Sequence, residues 1–178
     1  PVNSLKELVA YAKANPGKLN YGSTGIGGGP HLVTEVFKSI TKTDMVHVPY
    51  KGGGENMTAL MRGDIDVYVA TPQSSLALIQ SGKVRALAVL RDSNERLSML
   101  PNVPTSKEAG IDNCETSSWF GILAPAGTPR DIVNRLNAEW VRIAATPRAK
   151  EQFLKAEYEP ISSAPEQFSE ILKSNVAY

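Results

Sequence analysis

Three short stretches hold the residues with the most capacity for chemistry: GSTGIGGGP (22–30), PYKGGGEN (49–56) and ATPQSS (70–75). Each joins glycine or proline to hydroxyl or basic side chains, and each stands just ahead of apolar residues at helical spacing. Glycine has no Cβ and reaches positive φ, so consecutive amides can turn toward one point while a ligand approaches the main chain. The helix behind such a loop adds free N–H groups and the positive end of its dipole. These stretches therefore point to capture of an anion by backbone donors, with hydroxyl help from Ser23, Thr24 and Thr71 and charge from Lys51. Three converging termini, at up to ~2 kcal/mol each when partly buried, supply roughly 3 to 6 kcal/mol. A micromolar complex needs about 8, so a second surface must close over the guest.

Catalysis is not indicated. Ser23 lacks the G-x-S-x-G surroundings of a nucleophile elbow, and nothing assembles an acid, a base and a nucleophile, although His31 and Lys51 would be the pair to test. No cofactor or metal is predicted: the two histidines, His31 and His47, lie far apart in the chain, and Cys114 stands alone. GIGGGP carries Pro30 where a dinucleotide fingerprint has its third glycine, and no phosphate-loop motif G-x-x-x-x-G-K-[ST] occurs. His31, in the first helical turn, either donates to the anion or packs on its own loop. His47, between Val46 and Val48, reads as a structural strand residue. Tyr50 and Trp119 wall a pocket or join the core, and Asp64 and Asp66 read as a solvated turn and strand start.

Positioning these residues requires a sheet. Ser4 and Glu7 form a capping box for a first helix with Leu5, Leu8, Val9 and Ala12 on one face, stopped by Asn15-Pro16-Gly17. Apolar or alternating runs then recur at 18–23, 44–49, 65–70, 84–90 and 118–124, with helical segments at 30–40, 55–62 and 72–81 between them. Alternation of strand and helix predicts an α/β fold with a parallel sheet and right-handed crossovers, whose carboxyl edge gathers all three donor-rich stretches. From Thr128 onward the reading is helical: Thr128-Pro129 opens one helix with Ile132, Val133, Leu136, Trp140 and Ile143 inward, Thr146-Pro147 a second, and Ser163 with Glu166 a third. A helical tail on one strand, 118–124, suggests a second lobe with other strands, and places the boundary near 116–118.

Composition narrows the partners. The 178 residues carry a formal net charge of +1 with 19 basic residues and no basic run, which argues against nucleic acid. No apolar segment approaches the roughly 18 to 20 residues of a membrane-spanning helix.

The stretches NPGKLNYGSTGIGGGPHLVTEVFK, VHVPYKGGGENMTALMRGDIDVYVA, GKVRALAVL, LPNVPTSKEAGI and SSWFGILAPAGTPRDIVNRLNAE together closely resemble the Bug family, the extracytoplasmic solute receptors of tripartite tricarboxylate transporters. The resemblance covers essentially the whole chain. It implies a periplasmic-binding-protein-like type II fold, a periplasmic location, a small carboxylate ligand and a membrane permease as partner. It further implies lobe two at 1–117, then the return strand and C-terminal helices of lobe one at 118–178, without the signal peptide and first half of lobe one found in members. Ser23, Thr24, Gly27 and His31 match the family's binding loop; Tyr50, Lys51 and Gly52 match its next anion-facing segment. Members often have serines at the positions of Gly28, Gly29 and Pro30, so backbone contacts replace hydroxyl ones here. Aromatic carboxylates, amino acids, nicotinate-like rings and citrate-like acids all remain open as ligands. The same fold also serves cytoplasmic ligand-sensing domains of transcription regulators, which is the competing function. An unfinished sheet edge predicts homodimer contacts or domain exchange.

Overall fold

The computed structural model describes residues 2–91, 93–114, 121–155, 158 and 160–176. The chain divides into two compact units, Pro1–Trp119 and Phe120–Tyr178; the boundary expected at 116–118 lies outside the described residues.

The first unit begins with α1 (Leu5–Ala14), N-capped by Ser4, whose Oγ accepts from the Glu7 amide at 3.2 Å. Glu7 answers one residue further back, accepting from the Asn3 amide at 2.8 Å. Leu5, Leu8 and Ala12 are buried against Tyr21, Phe37, Met45, Ile111 and Cys114, the main apolar cluster. Three parallel strands follow, β1 (Asn20–Ser23), β2 (Val46–Pro49) and β3 (Val67–Tyr68), in the order β2-β1-β3. Crossover helices α2 (Gly29–Thr41) and α3 (Gly53–Arg62) link them, and α4 (Pro72–Gln80) follows β3. The α2 and α3 helices both end on left-handed residues, Lys42 and Gly63. Ladder register sets Tyr21 opposite His47 and Val67, and Gly22 opposite Val48 and Tyr68. Side chains alternate across a strand, so Tyr21, Ser23 and His47 share one face and Gly22 the other.

The strands are shorter than the apolar runs, and the sheet is narrower than expected. At β3 the Asp66 carboxylate replaces a main-chain acceptor, taking the Asn20 amide at 2.8 Å while the Asp66 amide donates to the Asn20 carbonyl, also at 2.8 Å. Asp66 stands at the strand start, as expected, exposed to solvent while it also bonds β1. The run 84–90 forms no ladder strand: it makes one isolated parallel bridge, Val89 with Thr105. Its partner segment carries Pro101 and Pro104, and proline has no N–H to extend a ladder. Leu87, Ala88 and Leu90 still pack on the main cluster. A T-x-x-E box stabilises that partner segment, with the Thr105 amide donating to Glu108 at 2.8 Å and the Glu108 amide to Thr105 Oγ1 at 3.1 Å. Arg96 holds the same carboxylate from outside, at 2.9 Å.

The second unit contains α5 (Arg130–Ala144), α6 (Pro147–Lys155) and α7 (Pro165–Val176). Thr146 caps α6 by accepting the Ala149 amide at 3.3 Å. The third cap is shifted by one residue from the expected Ser163 and Glu166: the Ala164 amide donates to Gln167 Oε1 at 2.9 Å. Trp140 meets Phe153 edge-on at 6.4 Å, but Ile132, Leu136 and Ile143, expected to face inward, are exposed. Among the described residues this unit has no strand on which to bury that stripe. Of the strand expected at 118–124, residues 118–120 lie outside the described residues and 121–124 join no ladder.

Candidate functional site

A parallel sheet delivers every strand to one edge, and here that edge receives all three donor-rich junctions. After β1 the chain turns through Gly25 and Gly27, both at positive φ (112° and 78°). The Gly28 amide closes the turn onto the Gly25 carbonyl at 3.1 Å. A Cβ on Gly28 would stand 2.8 Å from Thr24 Oγ1, so that position needs glycine for space. Gly28 is the N-cap of α2, with no side-chain cap bond, no acid in the first turn, and Pro30 within it. The helix therefore begins with open amides and no internal counter-charge. Pro30 sits one position later than expected, because Gly29 opens the helix.

The junction after β2 is tied to the first. The Tyr50 amide donates to the Ser23 carbonyl at 2.9 Å, and Asn56 Nδ2 donates to both the Ser23 and Gly52 carbonyls, at 3.0 and 2.9 Å. Asn56 is fully buried and its Oδ1 has no hydrogen-bond partner. It fits there only because β1 carries Gly22: a Cβ at that position would collide with Asn56 Oδ1 and lie 2.5 Å from Ile65 Cδ1. Gly52 caps α3 with extended backbone. Unlike α2, α3 brings its own acid: Glu55 accepts the Lys51 amide at 3.0 Å. This terminus already holds an anion, which weakens its pull on an outside one.

The third junction is plain. Thr71 caps α4 without a side-chain cap bond, Pro72 follows, and no acid lies in the first turn. Thr71 Oγ1 donates to Ser74 Oγ at 3.0 Å.

The expected site residues thus occupy different depths. Thr24, Gly27, Gly29, Lys51 and Thr71 are exposed, while Gly28, His31, Tyr50 and Gly52 are half-buried. Ser23 is wholly buried; its Oγ accepts the Gly25 amide at 3.0 Å and lies 2.6 Å from His47 Nε2. That hydroxyl works inside the protein, shaping the loop.

Two residues that sequence reasoning left out of the site belong to its frame. His47 reaches Ser23 and stacks on Tyr21 with ring centroids 5.0 Å apart; His31 tilts over His47 at 4.5 Å. Burial, together with the charge of His31, pushes the His47 imidazole below its ordinary pKa. The Tyr21 hydroxyl donates to Glu35 at 2.5 Å, and Lys38 pairs with the same carboxylate at 2.7 Å. Burial and Glu35 drive the Tyr21 phenol well up. Burial alone would raise Glu35, yet the bonds from Lys38 and Tyr21 prevail and hold it below its usual range. Asn56 is the second such residue. Its signal in the sequence was Gly22, since a glycine inside a strand marks a close approach by something else.

Among the described residues no group of three or more acidic, histidine or cysteine side chains is placed to hold a metal, and no helix is long and apolar enough to cross a membrane.

Comparison with known proteins agrees with this architecture. Residues 1–177 match the model of the TctC family, described as Tripartite tricarboxylate transporter family receptor. A UPF0065 protein of Bordetella pertussis is 40% identical over 149 residues, 84% of this chain and 45% of that protein. The structure of R. palustris Rpa4515 with adipate superposes with a TM-score of 0.88 at 32% identity, covering 99% of this chain and 58% of that one. The periplasmic binding protein BugD gives a TM-score of 0.87 at 30% identity, covering 99% and 59%. This chain spans about half the length of the relatives it matches. The chain belongs to the tripartite tricarboxylate transporter receptor family and has its α/β periplasmic-binding-protein fold.

Proposed function

We propose that this chain, as a member of that family, forms part of a periplasmic receptor that captures a small carboxylate at the sheet's carboxyl edge and presents it to a membrane permease. The observation carrying this reading is the junction after β1: two positive-φ glycines lead into a helix terminus with no acid of its own. The α4 terminus at the same edge is also free of acid. Because Glu55 occupies the α3 terminus, two termini remain, supplying at most about 4 kcal/mol. A micromolar complex requires about 8, so the guest must be enclosed by a second surface, as in a two-lobed receptor. We assign 1–117 to the lobe that carries these junctions and 118–178 to the return strand and C-terminal helices of the other lobe. The exposed stripe of Ile132, Leu136 and Ile143 supports a lobe that needs more sheet than these helices bring.

Adipate, the ligand in one structural relative, sets the expected class: a flexible diacid. Calorimetric titration with adipate, malate, citrate and an aromatic carboxylate tests the site. Gly28→Val, which closes the turn against Thr24, is expected to lower affinity at least tenfold while the protein stays folded by circular dichroism. Unchanged affinity in that variant removes the loop from the site.

A further inference from the structure

The glycine loop already holds acceptors of its own. The Gly27 amide donates to Nδ1 of His31 at 3.4 Å, and the Gly25 amide is held by Ser23 Oγ, itself 2.6 Å from His47 Nε2. One amide hydrogen serves one strong acceptor at a time, so while His31 Nδ1 holds Gly27, that donor is closed to an outside anion. An imidazole nitrogen accepts only when unprotonated; once protonated it becomes a donor. We propose that His31 is a displaceable acceptor for the Gly27 amide, so that capture of a carboxylate by this loop is coupled to uptake of one proton at His31 Nδ1. The inference rests on the anion-binding reading of the loop given above.

The surroundings decide which ring takes the proton. His47 is tied to Ser23, stacked on Tyr21, and discouraged from charging by burial and by its neighbour. Two imidazoles 4.5 Å apart share a single positive charge more readily than they hold two. Glu35 is the acid whose charge reaches both rings, and it is already engaged by two other groups. Glu35 is paired with Lys38 and accepts from Tyr21, and the Lys38 ammonium lies 5.3 Å from the centre of the Tyr21 ring. Burial raises the Cys114 thiol, which stays neutral within the same apolar cluster. Glu35 shares its charge with Lys38 and Tyr21, so an incoming carboxylate is the further counter-charge that His31 Nδ1 can meet. In the complex, the released Gly27 N–H and the new His31 N–H both point at the anion; the proton comes from solvent and no covalent bond changes.

Linkage makes this measurable, because proton uptake on binding requires affinity to rise as pH falls. The whole receptor that carries this chain is titrated with adipate by calorimetry at mildly alkaline pH, where the diacid is fully ionised, in two buffers of different ionisation enthalpy. Heats that differ by an uptake approaching one proton per site are expected, with affinity falling up to about tenfold per pH unit. His31→Gln is expected to weaken binding and to abolish both the buffer difference and the pH slope. His47→Gln, which loosens the loop's support, is expected to weaken binding while keeping the slope. Nitrogen NMR gives a separate readout: Nδ1 of His31 should show an acceptor's shift in the free protein and a protonated one when adipate is added. Equal heats in both buffers, or an unchanged slope in His31→Gln, overturn the coupling while leaving the anion site standing. No binding of adipate, malate or citrate overturns the anion site, and the coupling falls with it.

Discussion

In the junction after β1 the amides of Gly25 and Gly27 donate to Ser23 Oγ and His31 Nδ1, neither of them a carboxylate, whereas in the junction after β2 the amide of Lys51 donates to the carboxylate of Glu55. Both stretches are runs of glycine opening a helix at the same sheet edge. One has its donors covered by a hydroxyl and an imidazole nitrogen. The other is already neutralised from within. What separates the two glycine-rich turns is the identity of the internal acceptor rather than the presence of glycine. The two junctions also share a single support, Asn56, which grips a carbonyl from each.

Removing that shared support gives the largest expected effect. Gly22→Val drives carbon into Asn56 Oδ1 and to 2.5 Å from Ile65 Cδ1. A stability loss of roughly 3 kcal/mol or more is expected by urea denaturation, with both junctions losing hydrogen-exchange protection together. Loss in only one would show that they are held separately.

Next in size is a paired comparison of glycines. Gly27 sits at φ 78°, so Gly27→Ala is expected to cost about 1 to 2 kcal/mol. Gly54 lies inside α3 with open space around its missing side chain, and Gly54→Ala is expected to stabilise by about 0.5 to 1 kcal/mol. Equal costs in thermal melts would mean that both runs serve the same backbone purpose.

The two histidine-side effects are separated by pH. His47 is held below its ordinary value of 6.5, so the unfolded chain binds that proton more readily. Stability present above about pH 6.5 is therefore lost as pH falls through that region. Glu35, held below its ordinary 4.5, adds a further loss only below that value. His47→Asn should flatten the first stage of a pH series of melts and leave the second.

The smallest effect tests the neutralised junction directly. Glu55→Gln removes the internal charge from the α3 terminus, and adipate affinity is expected to rise about two- to fivefold, matching the ~0.3 to 1 kcal/mol of an exposed terminus. A fall in affinity would place Glu55 in a supporting role.

Much of the frame was legible in the sequence. Ser4 with Glu7, the glycine junctions, and the alternation of apolar run and helix located α1 to α4 within a few residues and put the donors at one edge. The run at 84–90 misled because alternation reports that a segment is half-buried, and says nothing of whether a neighbour has N–H groups to pair with; Pro104 removes one. The inward stripe of α5 misled for a related reason: periodicity marks an apolar face but does not supply the surface to cover it.

What the amino-acid order settled alone was local: caps, turns at glycine and proline, and the period of each element, all interactions within a few residues of the chain. What only the tertiary structure decided was which acceptor sits on which amide. His47 meets Ser23 across 24 residues and Asn56 meets it across 33, distances over which the sequence names no partner: Gly22 marks only that some group comes close. Parallel pairing of β1 and β2 brought those side chains together, and hydrogen bonding is short-ranged enough that a residue's role here followed from its neighbours in space.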